Sequence, residues 1–215
     1  MGIERGEQWG STALLPADTP VCTDDASAAR RVAAAIEGDR PIVALDGGDL
    51  CATLGGRGRV GERLGRDAQL LPCDIGVARC GGQEHLFVAH CLLVPAAGTG
   101  VGRLRWLRGP LVAAMNAAWL GSWNVAPRAH PGDGRIDVVQ VDASMGVAQR
   151  LEARRRVPHG GHVPHPGIRV RRTRTGSPVE ITLDRPQRLV VDGVPRSLVD
   201  QVSFETHNDA FLAAV

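Results

Sequence analysis

Lysine and tyrosine are absent from the 215 residues, and only three phenylalanines and four tryptophans supply aromatic rings. The first absence excludes Schiff-base and phosphate-gripping lysines, so all 25 cationic side chains are arginines. Few rings and a net charge of only +2 argue against a surface on which bases stack, and no nucleic-acid partner is expected. No apolar run approaches the roughly 20 residues that cross a bilayer, and the first ten residues carry charges where a signal peptide has its apolar stretch. A cytoplasmic chain without transmembrane segments is expected. The five cysteines, Cys22, Cys51, Cys73, Cys80 and Cys91, contain no Cys-x-x-Cys pair, which points to inert thiols in a reducing compartment. There is no Gly-x-Ser-x-Gly elbow and the seven histidines lack a telling neighbour, so no catalytic residue is assigned.

What is present is a loop-rich, folded composition: 43% hydrophobic and 22% charged residues, with 27 glycines and 14 prolines. Residues 1–22 read as an irregular arm with Trp9 as its one large anchor. Residues 23–66 read as a single α/β unit. Asp24 or Asp25 caps a helix running to Glu37, with Val32 and Ile36 on one face and Gly38 as its stop. Pro41–Leu45 is a short apolar strand ended by Asp46, Gly47 and Gly48, and a second short helix starts at Asp49. From 67 to 215 short β-rich runs alternate with turn residues: 68–71, 86–94, 111–115, 136–141, 168–172, 179–183, 188–191 and 197–204. That spacing predicts an antiparallel β-sandwich, and the fold class expected is α+β, mainly β, with a remnant α/β unit in front. One helix is expected from Ser144 as cap to about Arg155, and Asp192-Gly193 reads as a two-residue hairpin turn.

Four features are candidates for chemistry. A strand ending in Gly47-Gly48 and feeding a helix points backbone N–H groups at one spot, an arrangement that suits an anion, although Asp46 and Asp49 work against one. Gly56-Arg-Gly58-Arg-Val-Gly61 fits a dinucleotide fingerprint but follows no strand. His159, His162 and His165 lie at intervals of three on a loop stiffened by three prolines, which leaves open a zinc site or an ordinary stiff loop. Between Arg150 and Arg174 eight arginines face one acid, Glu152, and Arg169 and Arg171 share one strand face while Val170 and Arg172 share the other. Phosphate or an acidic surface would suit these guanidinium groups, and so would solvent.

The series Gly47-Gly-Asp-Leu-Cys-Ala-Thr-Leu-Gly55, Leu71-Pro-Cys-Asp-Ile-Gly76, Met115-Asn116, Ala126–Val138 and Val190-Val-Asp-Gly193 resembles, in order, the bacterial diacylglycerol kinase-like (YegS-type) lipid kinases, relatives of NAD and sphingosine kinases. Its most specific piece, Pro127–Val138, is similar to the family's P-x-A-x-x-x-D-G-x-L-D-V segment. The resemblance implies a C-terminal β-sandwich domain on the lipid side of a cleft, preceded by the last α/β unit of a nucleotide-binding domain. It places Gly47, Gly48 and Asp49 where the family has Gly-Thr-Gly-Asn-Asp, with Gly48 in place of the Asn, and adds Asn116 as a ligand-binding candidate beside Arg169 and Arg171. It also implies a structural Mg²⁺ held by Asp133 and the carbonyls of His130 and Arg135, where the competing reading is a plain turn. The family's Gly-Gly-Asp-Gly-Thr nucleotide loop has no counterpart in the series, and its general base, the Glu of Asp-Gly-Glu, is Val194 here. ATP binding is therefore not expected, and the chain reads as a catalytically inactive lipid- or ligand-binding or regulatory module. The alternative is a kinase half completed by a separate nucleotide-binding chain. The ligand expected is a lipid or a phosphorylated small molecule. A homodimer through the region of Trp106, Trp119 and Trp123 competes with core packing of those rings.

Overall fold

The computed structural model describes residues 9–35, 40–96, 109–174 and 176–215. Strands β1 (Ser11–Leu14) and β2 (Val21–Cys22) open the chain, followed by helix α1 (Asp25–Ala35), β3 (Ile42–Leu45) and α2 (Gly48–Thr53). The expected irregular arm therefore carries two short strands, because β1 pairs antiparallel with β4 (Asp67–Cys80) and β2 pairs parallel with β3. Trp9 anchors it as read: its indole N–H donates to the Pro72 carbonyl and its ring stands edge-on to His130. Asp24 caps α1, its carboxylate accepting the Ser27 N–H at 2.7 Å, and Val32 is fully buried beneath; Ile36, Glu37 and Gly38 lie outside the described residues.

Beyond β4 come β5 (Gln83–Phe87), β6 (His90–Pro95), β7 (Leu111–Met115), β8 (Trp119–Leu120), β9 (Trp123–Asn124) and β10 (Asp137–Val141). Helix α3 (Val147–Arg156), β11 (Ile168–Arg172), β12 (Val179–Val191) and β13 (Val194–Ala214) complete it. Among the described residues one sheet runs β1-β4-β13-β12-β6-β7-β10-β11, with β8 and β9 as a separate hairpin. The mainly antiparallel β-sandwich expected from turn spacing is the fold observed. Strand β13 pairs with β12 through its first half, with β4 through its second, and in parallel with β3 at its end, so the segment 23–66 shares the sheet of 67–215.

Several boundaries differ from the sequence reading. The expected run 86–94 is two strands broken at Val88-Ala89, and the runs 179–183 and 188–191 are one strand with an irregularity between Thr182 and Gln187. Helix α3 starts after Gly146, because the Ser144 hydroxyl and N–H are both bonded to Asp142. The Asp192-Gly193 turn is as read, with φ of +45° and +79° between the paired Val191 and Val194.

Both faces of the β6–β7–β10 layer carry apolar residues, which is why these strands read as largely hydrophobic runs. Cys91, Leu93, Val112, Ala114 and Val138 join Phe87, Leu189 and Phe204 in the sandwich interior, while Ala113, Met115 and Val139 face α3. On the neighbouring β4–β5 pair, Gly76 stands opposite Phe87, and a Cβ at Gly76 would fall inside that ring, which is itself edge-on to Phe204. Gly76→Ala is expected to displace Phe87 and lower stability by about 1–3 kcal/mol, read as a reduced urea midpoint.

Candidate functional site

Parallel neighbours β2 and β3 each run into a turn and then a helix, so the N-termini of α1 and α2 lie side by side. The turn after β3 is the candidate anion cradle, but this chain fills it itself. The Asp25 carboxylate reaches from α1 to α2 and accepts the Asp49 N–H at 2.7 Å and the Leu50 N–H at 3.0 Å. A Cβ at Gly47 would strike the Thr23 carbonyl, and one at Gly48, whose φ is +93°, would strike the Asp25 carboxylate. The two glycines therefore let the chain's own carboxylate and backbone close onto the helix start. Burial pushes the Asp25 carboxyl upward against those two N–H bonds.

Asp49 is the hub. One carboxylate oxygen lies 2.9 Å from His90 Nε2 and the other accepts the Gly121 N–H at the tip of the β8–β9 hairpin at 2.7 Å. His90 is only 4% exposed. Burial lowers its pKa, but the Asp49 hydrogen bond and the charges of Asp192, Asp49 and Asp25 outweigh it, so the net direction is up. Beneath it the buried Asp192 carboxylate accepts three backbone N–H groups, from Val88 at 2.9 Å, Ala89 at 3.0 Å and His90 at 2.9 Å. Burial nevertheless pushes Asp192 up to about 7. Asp25, Asp49 and His90 each bring a ligand atom within 4.8 Å of the others, the one such group of metal-ligating side chains among the described residues. Two carboxylates and an imidazole suit a divalent ion of the borderline class.

Of the residues singled out from the sequence, Gly47, Gly48 and Asp49 sit at this site. Asn116 is fully buried elsewhere, its amide donating to the carbonyls of Val88 and Asp74, so it ties the break between β5 and β6, just before His90, to β4. Arg169 and Arg171 belong to β11 at the far end of the sheet order, paired with the Asp142 carboxylate and the Glu180 carbonyl. The proposed magnesium set shares one turn: the Asp133 carboxylate accepts the Arg135 N–H and the His130 carbonyl accepts the Asp133 N–H. The three loop histidines do not form a ligand group: His162 is turned inward onto the Val125 carbonyl and His165 Nδ1 accepts the Gly167 N–H. Trp106 lies outside the described residues, while Trp119 and Trp123 form the β8–β9 hairpin. Sequence reading missed the site role of Asp25 and His90, which lie 24 and 41 residues from Asp49. Asp25 carried a local signal, that of a helix cap, and that signal pointed to the wrong helix.

A second concavity lies on the other face of β6, β7 and β10. It is half-open, almost wholly apolar and about 220 Å³, lined by Leu92, Ala113 and Val139 from the sheet, Ala153 and Arg154 from α3, and Trp123 from the hairpin. The hairpin thus touches both places, through Gly121 at Asp49 and through Trp123 at the pocket.

Protonation links the buried acids to stability. Asp192 and Asp74 hold their protons to about 7 and about 6, against roughly 3.9 for an unfolded aspartate. The native state thus binds more protons between those values, and stability is expected to fall as pH rises from about 4 to 7, and further through the raised His90 titration. Asp192→Asn, which turns an NH₂ onto buried N–H donors, is expected to cost about 1–3 kcal/mol, most near pH 4 and less toward pH 7; thermal melts of both proteins across that range check it.

The family model described as the YegS C-terminal NAD kinase beta sandwich-like domain matches residues 99–203. A solved structure described, provisionally, as a diacylglycerol kinase of Bacillus anthracis str. Sterne is similar over 91% of this chain and 77% of its own, with a TM-score of 0.63 and 13% identity. Two further diacylglycerol kinase structures from the same organism, one of them also provisionally described, give TM-scores of 0.55 at 17% and 14% identity; each match covers 81% of this chain, and 66% and 69% of theirs. At these identities they show a shared fold. No curated protein matches the chain. The domain match over residues 99–203 and the shared fold agree with the ordered motifs from Gly47 to Gly193, so this part of the chain is similar to the C-terminal β-sandwich domain of the YegS-type lipid kinases.

Proposed function

We propose that this protein is a lipid-binding module of the kinase fold, taking an alkyl chain into the apolar pocket beneath α3 and transferring no phosphate by itself. The pocket carries the reading. At about 220 Å³ it is smaller than the roughly 300 Å³ at which small-molecule clefts begin, which suits part of one alkyl chain better than two. The description of the structural neighbours as diacylglycerol kinases makes a glycerolipid or its fatty acid the ligand class of choice.

Against phosphoryl transfer stand three features of the other site. The helix starts that would receive phosphate oxygens are occupied by Asp24 and Asp25. The position of the family's base is Val194, which takes no proton. The one carboxylate beside it, Asp192, is buried and engaged by three N–H groups. Asp133, with the carbonyls of His130 and Arg135, is proposed to hold a structural Mg²⁺, an all-oxygen set that suits this ion.

Titration with a fluorescent fatty acid is expected to saturate, and Ala113→Phe, which fills the pocket from a half-buried strand position, is expected to weaken binding about tenfold, or about 1.4 kcal/mol. Wild-type protein that fails to bind, or a variant that binds equally well, would refute the pocket reading. With Mg-ATP and a dispersed diacylglycerol the purified chain is expected to form no phosphatidate; product formation would overturn the inactive reading. Magnesium is expected to raise the melting temperature of the wild type and not of Asp133→Ala, as a ligand of the native state must.

A further inference from the structure

Neither the Asp49 site nor the apolar pocket uses the larger cleft that lies over β10 and β11. It is a half-open space of about 490 Å³, floored by Asp137 and Val139 of β10 and, directly across the ladder, by Arg172 and Val170 of β11. The segment 126–128 forms one wall and the loop 160–164 the other. At Gly160, whose φ is +67°, a Cβ would strike the Pro127 ring, so the glycine lets the loop close against that segment. Beside this contact the His162 Nε2 lies 3.0 Å from the Val125 carbonyl. His162 and Val125 line the apolar pocket, whereas their neighbours Val163 and Ala126 line the cleft, so the bonded pair is a partition between two cavities that share Val139.

The two cavities differ in charge. In the cleft the buried Asp137 carboxylate accepts the Arg172 Nε–H at 2.6 Å. A guanidinium held through Nε is fixed in direction and still offers the planar edge formed by Nη1 and Nη2. Among the described residues nothing is bonded to that edge, and the exposed Arg128 makes no hydrogen bond or ion pair. The lining therefore carries two guanidinium groups against one carboxylate, and its other side chains are apolar. We infer that this cleft binds a small molecule with a carboxylate or a phosphate on a compact apolar body. The anion takes the free edge of Arg172, with Arg128 as the second cation, and the body lies on Val139, Val163 and Val170. The volume falls within the roughly 300–1,000 Å³ of small-molecule sites, which pair apolar walls with a few polar groups in this way. The inference does not rest on the alkyl-chain reading of the neighbouring pocket, because Arg128 and Arg172 line the cleft alone.

Calorimetric titration of the full chain with 2-naphthoate, 1-naphthyl phosphate and the uncharged 2-naphthamide tests it. At least one of the anions is expected to bind saturably and about tenfold or more tighter than the amide, and the tighter of the two identifies which acid the cleft prefers. Arg128→Gln changes an exposed side chain without a partner and is expected to weaken that anion about tenfold at an unchanged melting temperature. Arg172→Lys keeps a cation beside Asp137 but loses the planar edge, and is expected to weaken the anion at least as much. Wild-type protein that binds neither anion saturably, or binds the amide as tightly, would overturn the inference. An Arg128→Gln protein that binds the anion like the wild type would overturn it as well.

Discussion

A single carboxylate ties the β12–β13 hairpin to the break between β5 and β6. Asp192 sits in the hairpin between β12 and β13, yet its oxygens accept the N–H groups of Val88, Ala89 and His90, at least 102 residues earlier in the chain. Those three groups form the break between β5 and β6, where no strand is available to pair them. The Asp192 N–H returns the contact to the His90 carbonyl. The hairpin, the strand break and the orientation of His90 are thereby one unit, and through His90 the unit extends to Asp49, α2 and the β8–β9 hairpin.

Most of the β architecture was legible, because its causes are local. Asp192-Gly193 is a turn for reasons of backbone conformation alone, and 111–115 and 168–172 each begin directly after a glycine–proline pair, Gly109-Pro110 and Pro166-Gly167. What escaped were features settled by distant partners. Val88 and Ala89 are apolar and look like strand, and only Asp192 explains why the ladder stops there. Pro186 and its charged neighbours look like a loop, yet the ladder resumes at Gln187 because Pro95 and Val199 flank it. The candidate site shows the same division. Gly47, Gly48 and Asp49 stood out as a cluster, but their meaning depended on Asp25 arriving from another helix, and no spacing rule links the two.

What this chain shares with the solved diacylglycerol kinases is the fold. In an α/β unit the helix starts beyond parallel strands are the places where backbone donors remain unpaired. Here side-chain carboxylates satisfy them, and Gly47 and Gly48 leave the room that the Thr23 carbonyl and the Asp25 carboxylate occupy. The apolar face beneath α3 has no such internal occupant among the described residues. Its small lining side chains, Ala113 and Ala153, leave space that larger ones would close.

Strand β13 has a consequence for how the molecule is made. Its end pairs Leu212 with Ile42, partners separated by 212 − 42 = 170 positions, while its beginning pairs with the strand just before it. Because β13 follows every other element in the chain, β3 and β4 leave the ribosome before the strand that joins them exists. Contacts so distant in sequence form slowly, since a long loop must close first. During that interval two apolar strand edges stand unpaired, which makes the nascent chain more prone to aggregate than the finished protein.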